Sequence, residues 1–449
     1  MIRILDWQKL DAAGRRAALE RPQSTFAPAT LAVVREVLDA VRRDGDAALR
    51  ALTRRFDGVE LESLAVSEAE FAAARGALTD QQISALSRAV GNVRAFHLAQ
   101  RPTAVAVETE PGVRCEQLIR PIDAVGLYVP AGSAPLPSTV IMLAVPSEIA
   151  GCPRRVLCTP PSTAGTAHPA VLVAAELSGI DTVFKVGGAQ AIAALAYGTE
   201  SVPKVEKIFG PGNVWVTTAK QLVAQDPGGA ACDLPAGPSE VMVIADESAR
   251  ADFVAADLLA QAEHDPLAQA ILITPSAALA VRVQAAITTF LPQLERRAVL
   301  AQSLISCRCI LVPDLETAVA VANAYAPEHL LLQVREPRRW LAGIRNAGAV
   351  FLGAWSPEPL GDYCTGANHV LPTYGYARSS SGLSVRDFLK VITVQELTRA
   401  GLRSLGPTAA TLAGLEGLDG HALAVTRRLE SLAAGAVGEP SATLTEVTS

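Results

Sequence analysis

The spacing of apolar positions divides the chain into distinct textures. Residues 27–55 and 68–100 carry Ala, Leu and Val at helical spacing among Arg and Glu, which predicts helices that Pro102 ends. Beyond 124–129, a short apolar run with Gly126 inside it, brief apolar strands alternate with longer helical stretches. One series runs strand 155–159, helix 169–178, strand 182–186, helix 189–197, strand 207–209 and helix 213–224. A second runs strand 240–245, helix 249–262, strand 270–274, helix 277–290, strand 309–312 and helix 316–324, and continues through 330–334, 338–345 and 349–352. Strands separated by helices of this length predict parallel sheets with right-handed crossovers, here an α/β fold of two doubly wound modules. Residues 385–432 read as mostly helical. Residues 353–382, rich in Gly, Pro, Ser, Thr and Tyr, read as one long functional loop.

Composition narrows the class. Half of the 449 residues are hydrophobic and only 4% are aromatic, so the core is built from small aliphatic side chains. The net charge is −6 with no long basic run, which argues against nucleic acid as a partner. No apolar run approaches the roughly 18 residues of a membrane span. The opening MIRILDWQKL lacks the apolar stretch of an export signal, so the expected location is cytoplasmic. Seven cysteines, an odd number in a long chain, argue against a disulfide scaffold.

Polar residues of catalytic type gather at the ends of the expected elements. His97 and His168 sit in ordinary helical surroundings. Gln261 and His264 fall at i and i+3 near a helix end, on one face, where they suit a shared ligand or simply a solvated terminus. Glu328 and His329 follow Pro327 at a strand entrance. A carboxylate and an imidazole there suit proton transfer, provided a turn aims both the same way. Asp362 and His369 lie in the long loop, where a divalent metal such as zinc or internal hydrogen bonding would each use them. His421 closes the segment EGLDGH, five residues after Glu416. Gly187-Gly188-Ala189-Gln190 and Gly210-Pro211-Gly212-Asn213 sit between strand and helix. Both fit a phosphate cradle or an ordinary tight turn, and Trp215 breaks the dinucleotide fingerprint.

Nine ordered strings tie these fragments together: GLYVPAGSAPLPSTVIM (126–142), KVGGAQAIAALAYGTE (185–200), FGPGNVWVTTAK (209–220), DLPAGPSEVMVIAD (233–246), LLAQAEHDP (258–266), NAYAPEHL (323–330), GDYCTGANHVLPT (361–373), SGLSVRDF (381–388) and EGLDGH (416–421). With them the sequence resembles the histidinol dehydrogenase family from about residue 25 to about 430. Ala131, Thr365, Ala367 and Gly420 depart from the family pattern, and none of them removes a proposed ligand or base.

The resemblance implies zinc ligands at Gln261, His264, Asp362 and His421, and a catalytic pair at Glu328 and His329. It implies substrate contacts at Ser239, Gln261, His264, His329, Asp362, His369, Glu416 and His421, and NAD contacts at Tyr128, Gln190 and Asn213. It implies oxidation of L-histidinol to L-histidine through the aldehyde, in the last steps of histidine biosynthesis, with two NAD reduced and one Zn2+ per subunit. It also implies a homodimer in which His421 and Glu416 complete the partner's site.

The implied plan is two incomplete Rossmann-like modules, aldehyde-dehydrogenase-like. An N-terminal helical arm covers 1–26, one module 27–132 with 239–383, the other 133–238, a helical dimerisation domain 384–436 and a flexible tail 437–449. Three other readings compete. One is a thiol-dependent reductase using Cys232 or Cys364, another a related enzyme for a different small alcohol, and the third a catalytically silent zinc protein.

Overall fold

The computed structural model describes residues 2–22, 28–131, 134–234 and 237–434. The tail at 437–449 lies outside the described residues. The chain divides into two compact units, Met1–Gln100 with Ile122–Phe388, and Arg101–Pro121 with Leu389–Ser449.

The first unit is α/β with two wholly parallel sheets. In spatial order, one sheet runs Arg3–Asp6, Arg308–Leu311, Gln269–Thr274, Glu240–Ala245, His329–Gln333 and Ala349–Leu352. Alternation along its strands sends side chains to two cores. Val241, Val243, Ala245 and Leu331 pack with Val254, Leu258 and Ala262 of helix Ala251–Ala262. Met242, Ile244, Leu330 and Leu332 pack with Ala318, Val321 and Tyr325 of helix Leu315–Tyr325. Helices therefore cover both faces, as a doubly wound sheet requires.

The other sheet runs Val183–Lys185, Arg154–Thr159, Ala124–Tyr128, Lys207–Phe209 and Ala231–Cys232. Its core gathers Val37, Leu49 and Leu52 of helix Pro28–Asp57 with Ile192 and Leu195 of helix Gly188–Tyr197. The 124–128 strand belongs to this sheet and not with 239–383, because its neighbours in register are Arg154–Cys158 and Lys207–Phe209.

Local chemistry sets several boundaries. The helical stretch at 68–100 splits into Glu68–Ala77 and Asp80–Leu98, because Thr79 opens the second with a capping box to Gln82. The N-terminal arm is not wholly helical: Arg3–Asp6 pairs in parallel with Arg308–Leu311 as an edge strand. The long loop contains a six-residue helix, Glu358–Tyr363.

The second unit holds an antiparallel sheet ordered Leu389–Leu397, Val113–Pro121, Val105–Glu110, followed by helices Arg399–Leu415 and Asp419–Ala433. The expected helix over 385–432 thus begins only at Arg399. Residues 391–394 are four consecutive β-branched side chains, which a strand accommodates better than a helix.

Gly126 sits where helix Gly188–Tyr197 crosses its strand. A Cβ there would lie 2.9 Å from Leu195 Cδ1 and 3.1 Å from Val205 Cγ2. Gly126→Val is expected to cost about 1–3 kcal/mol through overpacking, read as a lower urea midpoint. An unchanged midpoint would show that the helix yields freely.

Candidate active site

The site is assembled at one end of the six-stranded sheet. Helix Leu315–Tyr325 ends on Ala326, a non-glycine residue in the left-handed region with φ 57°. That turn delivers Pro327, Glu328 and His329 into the next strand. It also meets the requirement for a turn, since Glu328 Oε2 lies 3.6 Å from His329 Nδ1 although the two are adjacent in sequence. One residue of the neighbouring strand fixes both. The Glu240 N–H donates to Glu328 Oε2 at 2.8 Å, and the Glu240 carbonyl accepts from His329 Nδ1 at 3.0 Å. With Nδ1 bonded to the backbone, Nε2 is the ring nitrogen that faces the site.

His329 shares its strand face with Gln333, opposite helix Ala251–Ala262. Gln333 donates to Asp257 at 2.8 Å, and Gln261 follows Asp257 by one helical turn. Gln261 is fully buried and its Oε1 has no hydrogen-bond partner, while its Nε2 lies 3.4 Å from His264 Nδ1. From the short helix of the long loop, Asp362 Oδ1 lies 3.4 Å from His329 Nε2, and Glu358 Oε1 lies 3.7 Å from Nδ1. His329, Glu358 and Asp362 present ligand atoms within 4.8 Å of one another.

Burial sets the electrostatics. It pushes the Glu328 and Glu358 carboxyls up to about 8. Burial alone would lower the His329 pKa, but Glu328, Glu358 and Asp362 outweigh it and raise it well above the ordinary value. Burial would also raise Asp362, but the imidazoles of His329, His369 and His264 hold it below the usual carboxylate range. His369 Nδ1 donates to the Asp362 carbonyl at 2.8 Å. Its Nε2 meets Thr139 Oγ1 at 3.2 Å, on helix Pro137–Ala150 behind the five-stranded sheet.

Tyr128, Gln190 and Asn213 lie at the carboxyl ends of that sheet's strands, where open parallel sheets place their ligands. The Tyr128 hydroxyl accepts from the Gly188 N–H at 3.1 Å. Gln190 is buried in the first turn of its helix, and Asn213 caps the next through Trp215 N and Val216 N. Gly210, with φ 121°, approaches so closely that a Cβ would lie 2.0 Å from the Tyr128 carbonyl oxygen. Asp233 accepts from Gly210 N at 2.7 Å, and Lys220 binds both the Gly210 carbonyl and Asp233, which pins the loop.

Ser239 immediately precedes the 240–245 strand. Glu416 caps helix Arg399–Leu415 and His421 lies in the first turn of Asp419–Ala433, both exposed and both in the second unit. The structure therefore brings together Gln261, His264, Glu328, His329, Asp362 and His369 within the first unit. Sequence reasoning missed Glu358, whose i, i+4 spacing to Asp362 was available as a signal, and Lys220 with Asp233.

Known proteins decide the family. A sequence model of histidinol dehydrogenase matches residues 19–429. The chain belongs to the histidinol dehydrogenase family. It is 56% identical to a histidinol dehydrogenase from Xanthomonas euvesicatoria pv. vesicatoria over 428 residues, which is 95% of this chain and 99% of that protein. It is 53% identical to one from Vibrio vulnificus over 433 residues, covering 96% of this chain and 100% of the relative. A crystal structure of histidinol dehydrogenase from Elizabethkingia anophelis superposes with TM-score 0.93 at 41% identity, over 96% of this chain and 99% of that one. The family is one of oxidoreductases of histidine biosynthesis. Among the described residues, no helix is long and apolar enough to cross a membrane.

Asp257 yields a test of this buried polar layer. Burial pushes its carboxyl up to about 6, against a hydrogen bond from Gln333 that lowers it. An unfolded Asp titrates near about 3.9, so the folded chain holds a proton that the unfolded chain has released. That contribution is full below about pH 4 and is lost as pH rises through about 6. Asp257→Asn is expected to match the parent near pH 4 and to be about 3 kcal/mol more stable at pH 7, in urea titrations across this range. A variant less stable at pH 7 would contradict the assignment.

Proposed function

We propose that the chain oxidises L-histidinol to L-histidine through bound L-histidinal, in the cytoplasm, with NAD and one Zn2+ per subunit. The buried Glu328–His329 pair beside Asp362 and Gln261, in a chain of this family, carries the reading.

The donor set fits a zinc ion. Gln261 Oε1 is a buried acceptor without a partner, His264 lies beside it, and Asp362 is held as a carboxylate. Gln261, His264 and Asp362, with His421 contributed by a second copy of the chain, would hold the metal. Bound there, the ion would position the substrate's amine and imidazole and offset the Asp362 charge that helps keep His329 protonated. NAD would supply the hydride acceptor for both oxidations, at the strand ends that present Tyr128, Gln190 and Asn213.

The chain's own residues move the protons. His329 Nε2 takes the alcohol proton in the first oxidation, while Nδ1 stays on the Glu240 carbonyl and fixes the ring. The aldehyde stays bound, which limits loss of a reactive intermediate. Glu328 takes a proton from water as the water adds to the aldehyde carbon, giving the hydrate. His329, after passing its first proton to solvent, accepts the hydrate proton in the second oxidation. A raised carboxyl pKa near neutrality suits Glu328 to this exchange. Ser239, His369 and Glu416 complete the substrate contacts.

A homodimer completes this scheme, with Glu416 and His421 crossing to the partner. Val391, Ile392, Leu412, Leu415 and Leu423 of the second unit are exposed apolar side chains that a second copy would cover.

The thiol-dependent alternative loses support at Cys232. Burial pushes the Cys232 thiol up to about 12, against the lowered pKa that a thiolate nucleophile needs. Replacing Cys232 and Cys364 together by Ala is expected to retain activity, and its loss would restore the thiol reading.

Stoichiometry tests the main proposal. Two NADH per L-histidinol are expected, lost on chelation and restored by zinc; one NADH would mean that the aldehyde escapes. Glu328→Gln is expected to slow oxidation of L-histidinal far more than that of L-histidinol. Equal loss of both half-reactions would overturn the division of labour between Glu328 and His329.

A further inference from the structure

Glu240 links the catalytic pair to the start of the chain. Its backbone N–H and C=O hold Glu328 and His329, while its side chain turns away to a different partner. That partner is Arg21. The guanidinium engages the carboxylate in a fork, with Nε at 2.5 Å from Oε1 and Nη2 at 2.9 Å from Oε2. Both side chains are largely buried, at 13% and 2% exposure, so solvent screens the pair weakly.

The guanidinium is itself fixed. Nη2 donates to the Tyr325 carbonyl at 2.9 Å and to the Ala326 carbonyl at 3.3 Å, and the group stacks 3.8 Å over the Tyr325 ring. Ala326 is the left-handed residue that aims Glu328 and His329. Tyr374 closes the arrangement, with its N–H donating to Glu240 Oε1 at 2.8 Å and its hydroxyl to the Pro22 carbonyl. One side chain from the N-terminal arm therefore ties together both backbone segments that orient the catalytic pair.

We propose that Arg21 is a positioning residue for the oxidation chemistry, clamping the Glu240 peptide and the Ala326 turn so that Glu328 and His329 share one fixed geometry. The inference rests on the reading that this pair carries the chemistry. A bidentate, stacked guanidinium is the group for the task, because a planar fork restrains a carboxylate in orientation as well as distance. Arg21 bonds the Glu240 carboxylate and the Tyr325 and Ala326 carbonyls, so it acts on the acid–base pair through the backbone that holds it.

The zinc-loaded full-length protein tests this with Arg21→Ala and with the double variant Arg21→Met, Glu240→Gln, which removes both charges and leaves no buried carboxylate unpaired. Both are expected to lower kcat about 10–100-fold, the usual scale for lost orienting contacts, with KM for NAD unchanged. Added guanidinium, at a concentration that does not denature, is expected to recover part of the Arg21→Ala loss, and ethylammonium is not. A double variant that folds and keeps full kcat would overturn the proposal, as would an Arg21→Ala loss that only tracks its unfolded fraction. Glu328→Gln is run alongside. If it is impaired and the Arg21 variants are not, the inference alone fails; if it too is fully active, the reading beneath it fails as well.

Discussion

The site depends on one peptide. Parallel pairing sets His329 opposite Val241, and the residue before Val241 then offers its N–H to a carboxylate and its C=O to an imidazole. Four titratable groups, Glu328, His329, Glu358 and Asp362, are packed at this sheet end where water is scarce. Burying such a cluster is costly unless its members pair. Here each carboxylate faces the same imidazole, and the ladder register decides which ring nitrogen faces the backbone and which faces the site.

The two modules divide the work along lines that their sheets impose. The six-stranded sheet brings helix Ala251–Ala262, the His329–Gln333 strand and helix Glu358–Tyr363 to one point, each offering polar residues four apart. Asp257 with Gln261, His329 with Gln333, and Glu358 with Asp362 are these pairs. The five-stranded sheet instead offers helix N-termini and close-approaching glycines. His369 spans the two, bonded to the Asp362 carbonyl on one side and to Thr139 on the other.

Much of the fold was legible because buried parallel strands are short apolar runs and their crossovers are long. The strands at 240–245 and 349–352 and the helix at 277–290 have the boundaries their patterns predict. Leu389–Leu397 was not legible, because its partner Val113–Pro121 lies far away in sequence and no residue in it is buried. Arg3–Asp6 is too short for a period to show. The motif strings carried Glu328, His329, Gln261 and Asp362, but Glu358 and Arg21 act through contacts that no string records. Arg21 reaches Glu240 across 219 positions of sequence.

Ala326 sets a limit of a different kind. Its left-handed backbone is disfavoured for every residue with a Cβ, and most for those branched there. Evolutionary drift at this position is therefore bounded by backbone geometry rather than by chemistry. Glycine or asparagine would keep the turn, whereas valine, isoleucine or threonine would strain it and shift Glu328 without changing any side chain of the buried cluster.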